Sequence, residues 1–189
     1  MVVAIRIRIV PDADLVVSAR SPYVLAYDAM RSRFVRQLQR AYSGELAAAL
    51  AYRGHWRSLP RGGGDRERVG VIEQEELHHR RLVGAMLVEL AAAPSRWREA
   101  RAFVLGHLLG LLCRVAGYFL PMYAAGKLES RNVGEYEDAA RYAAECGRED
   151  LVPCFVEMAR VEADHEAFFR GRVMGHRALK LFPLWRRSG

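Results

Sequence analysis

Glu75-Glu76-Leu77-His78 and Glu162-Ala163-Asp164-His165 each place an imidazole three residues after a carboxylate, twice in one chain of 189 residues. Each copy follows the same forerunner: Glu45 precedes Tyr52 by seven residues, and Glu129 precedes Tyr136 by seven. The halves are offset by 84 residues for the Glu and its Tyr (45 to 129, 52 to 136) and by 87 for the Glu-x-x-His (75 to 162, 78 to 165). Positions three or seven apart share one face of an α-helix. The four motifs are therefore four helical faces, provided that the segments carrying them are helices.

The surrounding sequence predicts that they are. From Tyr27 to Trp56 apolar residues recur at helical spacing (Phe34, Leu38, Ala41, Tyr42, Ala48, Ala49, Tyr52). Leu59-Pro60-Arg61-Gly62-Gly63-Gly64-Asp65 is a loop, with Asp65 as the expected N-cap of a helix from about Arg66 to Ala93. Pro94 stops that helix, and Ser95 opens a third from about Arg96 to Gly117. Pro121 suits the first turn of a fourth, ending at Cys146 with Gly147 behind it. A fifth runs from about Glu149 to His176. The expectation is an all-α chain. Residues 1–20 form an extended arm or short strand (Ile5-Arg6-Ile7-Arg8-Ile9 alternates strictly), residues 21–176 a helical bundle, and residues 177–189 a basic amphipathic tail closing in a short helix.

The carboxylates and imidazoles lie on faces that otherwise carry apolar residues, as with His165 beside Phe155 and Phe169. Four carboxylates turned into one core cannot all stay ionised without compensation, because an isolated buried charge costs many kcal/mol or takes up a proton. Two divalent cations balance four carboxylates. Glu45, Glu75, His78, Glu129, Glu162 and His165 are the candidate ligands: two Glu bridging the ions, and one further Glu and one His on each. Carboxylate and imidazole suit iron or manganese, and thiolates, which favour zinc, are absent from the pattern. Tyr52 and Tyr136 are candidates to hydrogen-bond the ligands or to donate an electron. A second register is open in the first copy, since Glu76-Leu77-His78-His79 holds another Glu-x-x-His one residue on, about 100° around the helix. Alignment of His78 with Leu82, as His165 aligns with Phe169, favours Glu75/His78. Glu73, Glu135, Glu137 and Glu166 read as surface charges.

At these residues the chain resembles the ferritin-like di-iron superfamily, and within it is most similar to the demethoxyubiquinone hydroxylase family. The resemblance runs from about Phe34 to Val173. Ser43-Gly44-Glu45 resembles that family's Ala-Gly-Glu, and Glu75-x-x-His78, Glu129…Tyr136 and Glu162-x-x-His165 follow in its order. The apolar segment between Trp97 and Tyr123 sits where that family has its membrane-associated helix. The resemblance implies a ferritin-like four-helix bundle with an inserted apolar helix, two iron ions, and hydroxylation of a lipophilic quinone ring by dioxygen with an external electron donor. Glu75 and Glu162 would bridge the ions. The chain departs from the family at Ala41-Tyr42, where the family has Asp-His, and at Gly134-Glu135 before Tyr136. The ligand pattern belongs to the whole superfamily, so a ferroxidase or peroxide-reducing iron protein is the alternative.

Composition bounds the rest. At 51% hydrophobic and 27% charged residues the chain suits one globular domain. Cys113, Cys146 and Cys154 are expected to be reduced thiols, as in a cytoplasmic protein. The net charge of +7 is nearly all Arg, since Lys occurs only at 127 and 180, and no basic run with interleaved aromatics points to nucleic acid. The N-terminus lacks the marks of a signal peptide. Phe103 to Tyr123 is apolar, but His107 and Arg114 share a face and Gly117 and Pro121 interrupt it, so no membrane span is expected. That helix and the tail (Leu181, Phe182, Leu184, Trp185 among Arg and Lys) suit peripheral contact with the inner face of a membrane, or a homodimer contact.

Overall fold

The structure, a computed structural model, describes residues 22–186. The expected N-terminal arm therefore lies outside the described residues. The described chain is all-helical: α1 (Pro22–Ser58), α2 (Gly64–Glu89), α3 (Arg96–Leu112), α4 (Phe119–Glu145) and α5 (Val152–Val173), with one-turn 3-10 helices at Glu149–Leu151 and Arg177–Lys180. α1 pairs with α2, α4 with α5, and α3 lies against α1. Cys113, Cys146 and Cys154 form no disulfide.

Most boundaries fall where sequence chemistry puts them. α4 ends in a Schellman motif. Gly147, at φ 70°, donates to the Ala144 carbonyl, and Arg148 donates to that of Ala143. Three boundaries differ. Asp65 does not cap α2; Gly63 holds that position, and Asp65 in the first turn accepts from Tyr118 Oη (2.7 Å) and Arg172 Nε (2.5 Å). The apolar segment is not one helix to Gly117. α3 stops at Leu112 and the chain turns, with Gly117 at φ 72°, into α4 at Phe119. The tail forms only one 3-10 turn and then folds back on α4 and α5. Trp185 is buried there and donates through Nε1 to Glu166 (2.8 Å), and Ser130 Oγ donates to the Arg186 carbonyl (2.9 Å). The residues expected to anchor the tail thus divide. Trp185 packs inward, while Leu181 is 82% exposed.

Two apolar layers occupy the interior of α1, α2, α4 and α5. Phe34, Leu38, Val83, Leu87, Phe155 and Met158 form one; Tyr52, Val69, Ile72, Met122, Phe169 and Val173 form the other. On each of these four helices the layers are separated by a short polar stretch, near 45, 76–79, 129 and 162–165. That polar level is the candidate site.

α3 packs on α1 backbone to backbone. A Cβ at Gly54 would lie 2.2 Å from Gly110 Cα, and one at Gly106 would lie 2.7 Å from the Ala47 carbonyl. Neither neighbour can rotate away, because both are main chain. Gly54→Val is expected to force α3 off α1 at a cost of about 3 kcal/mol, read as a fall of about 10 °C in the thermal midpoint. An unchanged midpoint would refute this packing. Other apolar residues of α3 are left uncovered among the described residues: Val104 is 65% exposed and Leu108 51%. No helix of the described residues is long and apolar enough to cross a membrane.

Candidate metal centre

Four helices bring six side chains together at the polar level: Glu45 from α1, Glu76 and His79 from α2, Glu129 from α4, and Glu162 and His165 from α5. All six are buried. They form two overlapping groups that could each hold a metal ion, one of Glu45, Glu76, His79 and Glu162, the other of Glu76, Glu129, Glu162 and His165. Within a group the donor atoms all lie within 4.8 Å of one another. Glu76 and Glu162 belong to both, so each would contact both positions.

Four of the expected candidates (Glu45, Glu129, Glu162 and His165) are therefore among these six side chains. Glu75 and His78 are not. The inward face of α2 is the other register, Glu76 and His79. The apolar stripe that buries α2 runs Val69, Ile72, Val83, Met86, in steps of three and four that pass through 76 and 79. His78 points to solvent, 3.4 Å from Arg81. Glu75 is half-buried at the edge and stands outside both groups, with its Oε2 2.8 Å from His165 Nε2. A proton held on Nε2 by that carboxylate leaves Nδ1 as a bare donor facing the centre. That hydrogen bond and the pairing with Arg68 (2.8 Å) lower the Glu75 carboxyl to about 2, against the pull of partial burial.

The two tyrosines connect the halves crosswise. Tyr52 Oη donates to Glu129, and Tyr136 Oη donates to Glu45. Tyr52 also stacks on Phe169 at 5.7 Å, and Tyr136 stands edge-on to His79 at 5.7 Å. Burial keeps both phenols protonated, well above their ordinary range. Asn132, which the sequence did not single out, donates to Glu129 Oε2 at 2.9 Å. It sits three residues beyond Glu129, one turn along the same face. Its counterpart three residues beyond Glu45 is Ala48, so Glu45 Oε2 has no such donor.

Burial pushes the Glu45, Glu76 and Glu129 carboxyls up, most strongly at Glu76 and Glu129, where neighbouring carboxylates add to it. At Glu162 burial acts the same way, but the imidazoles of His165 and His79 outweigh it and hold the group ionised. Glu45 Oε2, both oxygens of Glu76, Glu162 Oε2 and His165 Nδ1 hydrogen-bond to nothing in the protein. His165 Nδ1 and Glu76 Oε1 are 3.2 Å apart without hydrogen-bond geometry. Five orphaned buried atoms converging on one spot are a large unexplained cost unless a cation satisfies them. Oxygen and imidazole donors of this kind fit a divalent first-row ion.

Two of the expected surface charges are buried. Glu73 accepts from Trp56 Nε1 (2.6 Å) and Arg53 Nε (2.7 Å), and Glu166 accepts from Trp185 Nε1 and Arg170 Nε (2.6 Å). Both have partners outside the centre and neither joins the metal-holding groups. Glu137 is exposed as expected, whereas Glu135 is half-buried and paired with Arg131.

Comparison with protein-family models, with curated proteins and with solved structures finds no match to this chain.

Proposed function

We propose that the chain is a ferritin-like four-helix bundle that holds two iron ions, with manganese as the other ion the donor set accepts, and uses dioxygen to hydroxylate a lipophilic, quinone-like molecule. The observation that carries this reading is the pair of ligand groups sharing Glu76 and Glu162, with their donor atoms otherwise unsatisfied. Glu45 and His79 would complete one position, and Glu129 and His165 the other. Bound there, two irons supply the paired electrons that dioxygen activation requires.

The chain's own residues do the rest. Glu75 fixes the His165 ring through Nε2, and Asn132 and Tyr52 fix both oxygens of Glu129. Tyr52 and Tyr136 hold a phenol proton on Glu129 and on Glu45. The two apolar layers keep bulk water from the site. The two electrons the reaction consumes would come from an external reductant.

A small cavity of about 50 Å³ reaches Glu45 and Tyr136 between α1 and α4. A cavity of that size admits dioxygen or peroxide but no ring-sized molecule, so it serves hydroxylation and the ferroxidase or peroxide-reducing alternative alike. The test is to load the protein with Fe(II), reduce it, and supply labelled dioxygen with a lipophilic quinone. One labelled oxygen in the product is expected. Rapid turnover of Fe(II) with peroxide and no oxygenated product would select the alternative.

A further inference from the structure

A groove of about 750 Å³ runs along the outer seam of α1, α3 and α4. Ala51, Val104, Leu105, Leu108, Leu109 and Leu128 make it apolar along most of its length. One end is cationic, lined by Arg40, Arg98, Arg101 and Arg131. Glu135 lines the groove too and is taken up by Arg40 (3.5 Å) and Arg131 (2.7 Å). Glu99 pairs away from the groove with Arg80. Among the described residues Arg98 and Arg101 have no ion-pair partner. The floor is thin midway along. Gly44 and Ala48 on α1 and Leu128 and Asn132 on α4 line both the groove and the small cavity beside Glu45.

These features select an occupant. An apolar molecule filling the groove strips water from the half-buried Arg98 and its neighbour Arg101. A guanidinium losing water needs a counter-charge in return, and a carboxylate supplies one with matched two-pronged geometry. A neutral molecule leaves that cost unmet. We propose that the groove binds a single-chain amphiphile ending in a carboxylate. Arg98 and Arg101 hold the acid, the chain lies along the inner flank of α3, and carbons beyond the head pass over the Gly44–Ala48 gap toward Glu45. As a statement about substrate class this rests on the oxygen-activating function proposed above; as a statement about binding it does not.

The test is a titration of metal-free protein with hexadecanoic acid, kept below its aggregation concentration, and with hexadecan-1-ol. Fluorescence of Trp97, which lines the groove, is the readout. The acid is expected to bind at least about tenfold more tightly than the alcohol, as one charge-assisted pair gives. The double variant Arg98→Gln, Arg101→Gln should erase the difference while leaving alcohol binding in place. Equal affinities, or a difference that survives the variant, overturn the proposal. So does binding seen only with anionic lipid vesicles, which makes the groove a membrane contact, or a protein mass that doubles as the groove closes to both ligands, which makes it a contact between copies. If the acid binds as expected but iron-loaded protein never oxygenates it, the groove stands as a binding site and the acid is overturned as the substrate, while the oxygen-activating function stands or falls by the labelled-dioxygen test above.

Discussion

Glu76→Ala is expected to strip the protein of metal and His79→Ala to cost it one of its two ions, whereas His78→Ala leaves metal content unchanged. Glu76 would contact both positions, so its loss removes a ligand and a compensating charge from each ion. His79 would ligate one, and its replacement is expected to leave a protein that holds at most one ion tightly. His78 lies at the surface and contributes no donor. Glu75→Gln falls between. It keeps the volume of the side chain but weakens its hold on His165 Nε2, and changes to such supporting groups typically lower metal affinity by about 10–100-fold. Anaerobic titration with Fe(II) or Mn(II), with elemental analysis after desalting, measures all four. Metal lost from His78→Ala and kept by His79→Ala would place the centre on the wrong face of α2.

Metal binding is expected to raise the thermal midpoint by about 20 °C, and by more at pH 8 than at pH 6. In the metal-free fold Glu45, Glu76 and Glu129 have raised pKa values, chiefly from burial. Through these three groups the folded state binds more protons than the unfolded chain between about pH 4.5 and their folded pKa values, and stability falls as pH rises through that window. His165 adds to the same trend. Its pKa is raised by Glu162 and Glu75 against burial, so its stabilisation is complete below 6.5 and is lost as pH rises through the folded value. Glu75, lowered to about 2, contributes stability that is lost only as pH falls from about 4.5 toward 2, outside the window tested. Cations displace the excess protons and reverse the slope. At a free concentration about 1,000 times the dissociation constant, each ion contributes about 4 kcal/mol. Two give about 8 kcal/mol, which at roughly 2–4 °C per kcal/mol is the stated shift. Calorimetry at both pH values, with protons counted by an indicator dye, checks it. A shift that shrinks with rising pH, or no proton release, is incompatible with carboxyls held neutral in the empty centre.

How much of this could be read from the sequence differs from helix to helix. On α5 the candidate ligands interrupt a clean stripe, Phe155, Met158, Glu162, His165, Phe169, and only one face fits. On α2 both motif residues are doubled, Glu75-Glu76 and His78-His79, so the motif fits two faces. Leu82 argues for one of them locally, but the full stripe of Val69, Ile72, Val83 and Met86 decides for the other. The longer period was present in the sequence and outweighs a single neighbour, because burying the whole helix sets its rotation. Glu73 and Glu166 could not be read in this way. Their burial depends on Trp56 and Trp185, 17 and 19 residues away, and the second contact exists only because the tail folds back. Asn132 needed the structure as well, since an asparagine one turn beyond a glutamate carries no signal until the glutamate is known to face inward.

The crosswise bonds of Tyr52 to Glu129 and Tyr136 to Glu45 mean that neither hairpin finishes its own half of the centre. Each lends a phenol to the other's carboxylate, and each needs the other's Glu-x-x-His. That is the geometry of a handshake between two equal partners, in which one hairpin meeting an identical copy would satisfy every such bond. α3 is then the tether that joins the partners into one chain. The small differences between the halves, Ala48 against Asn132 and Gly44 against Leu128, are where the equality has been given up, and they lie on the side where the groove opens.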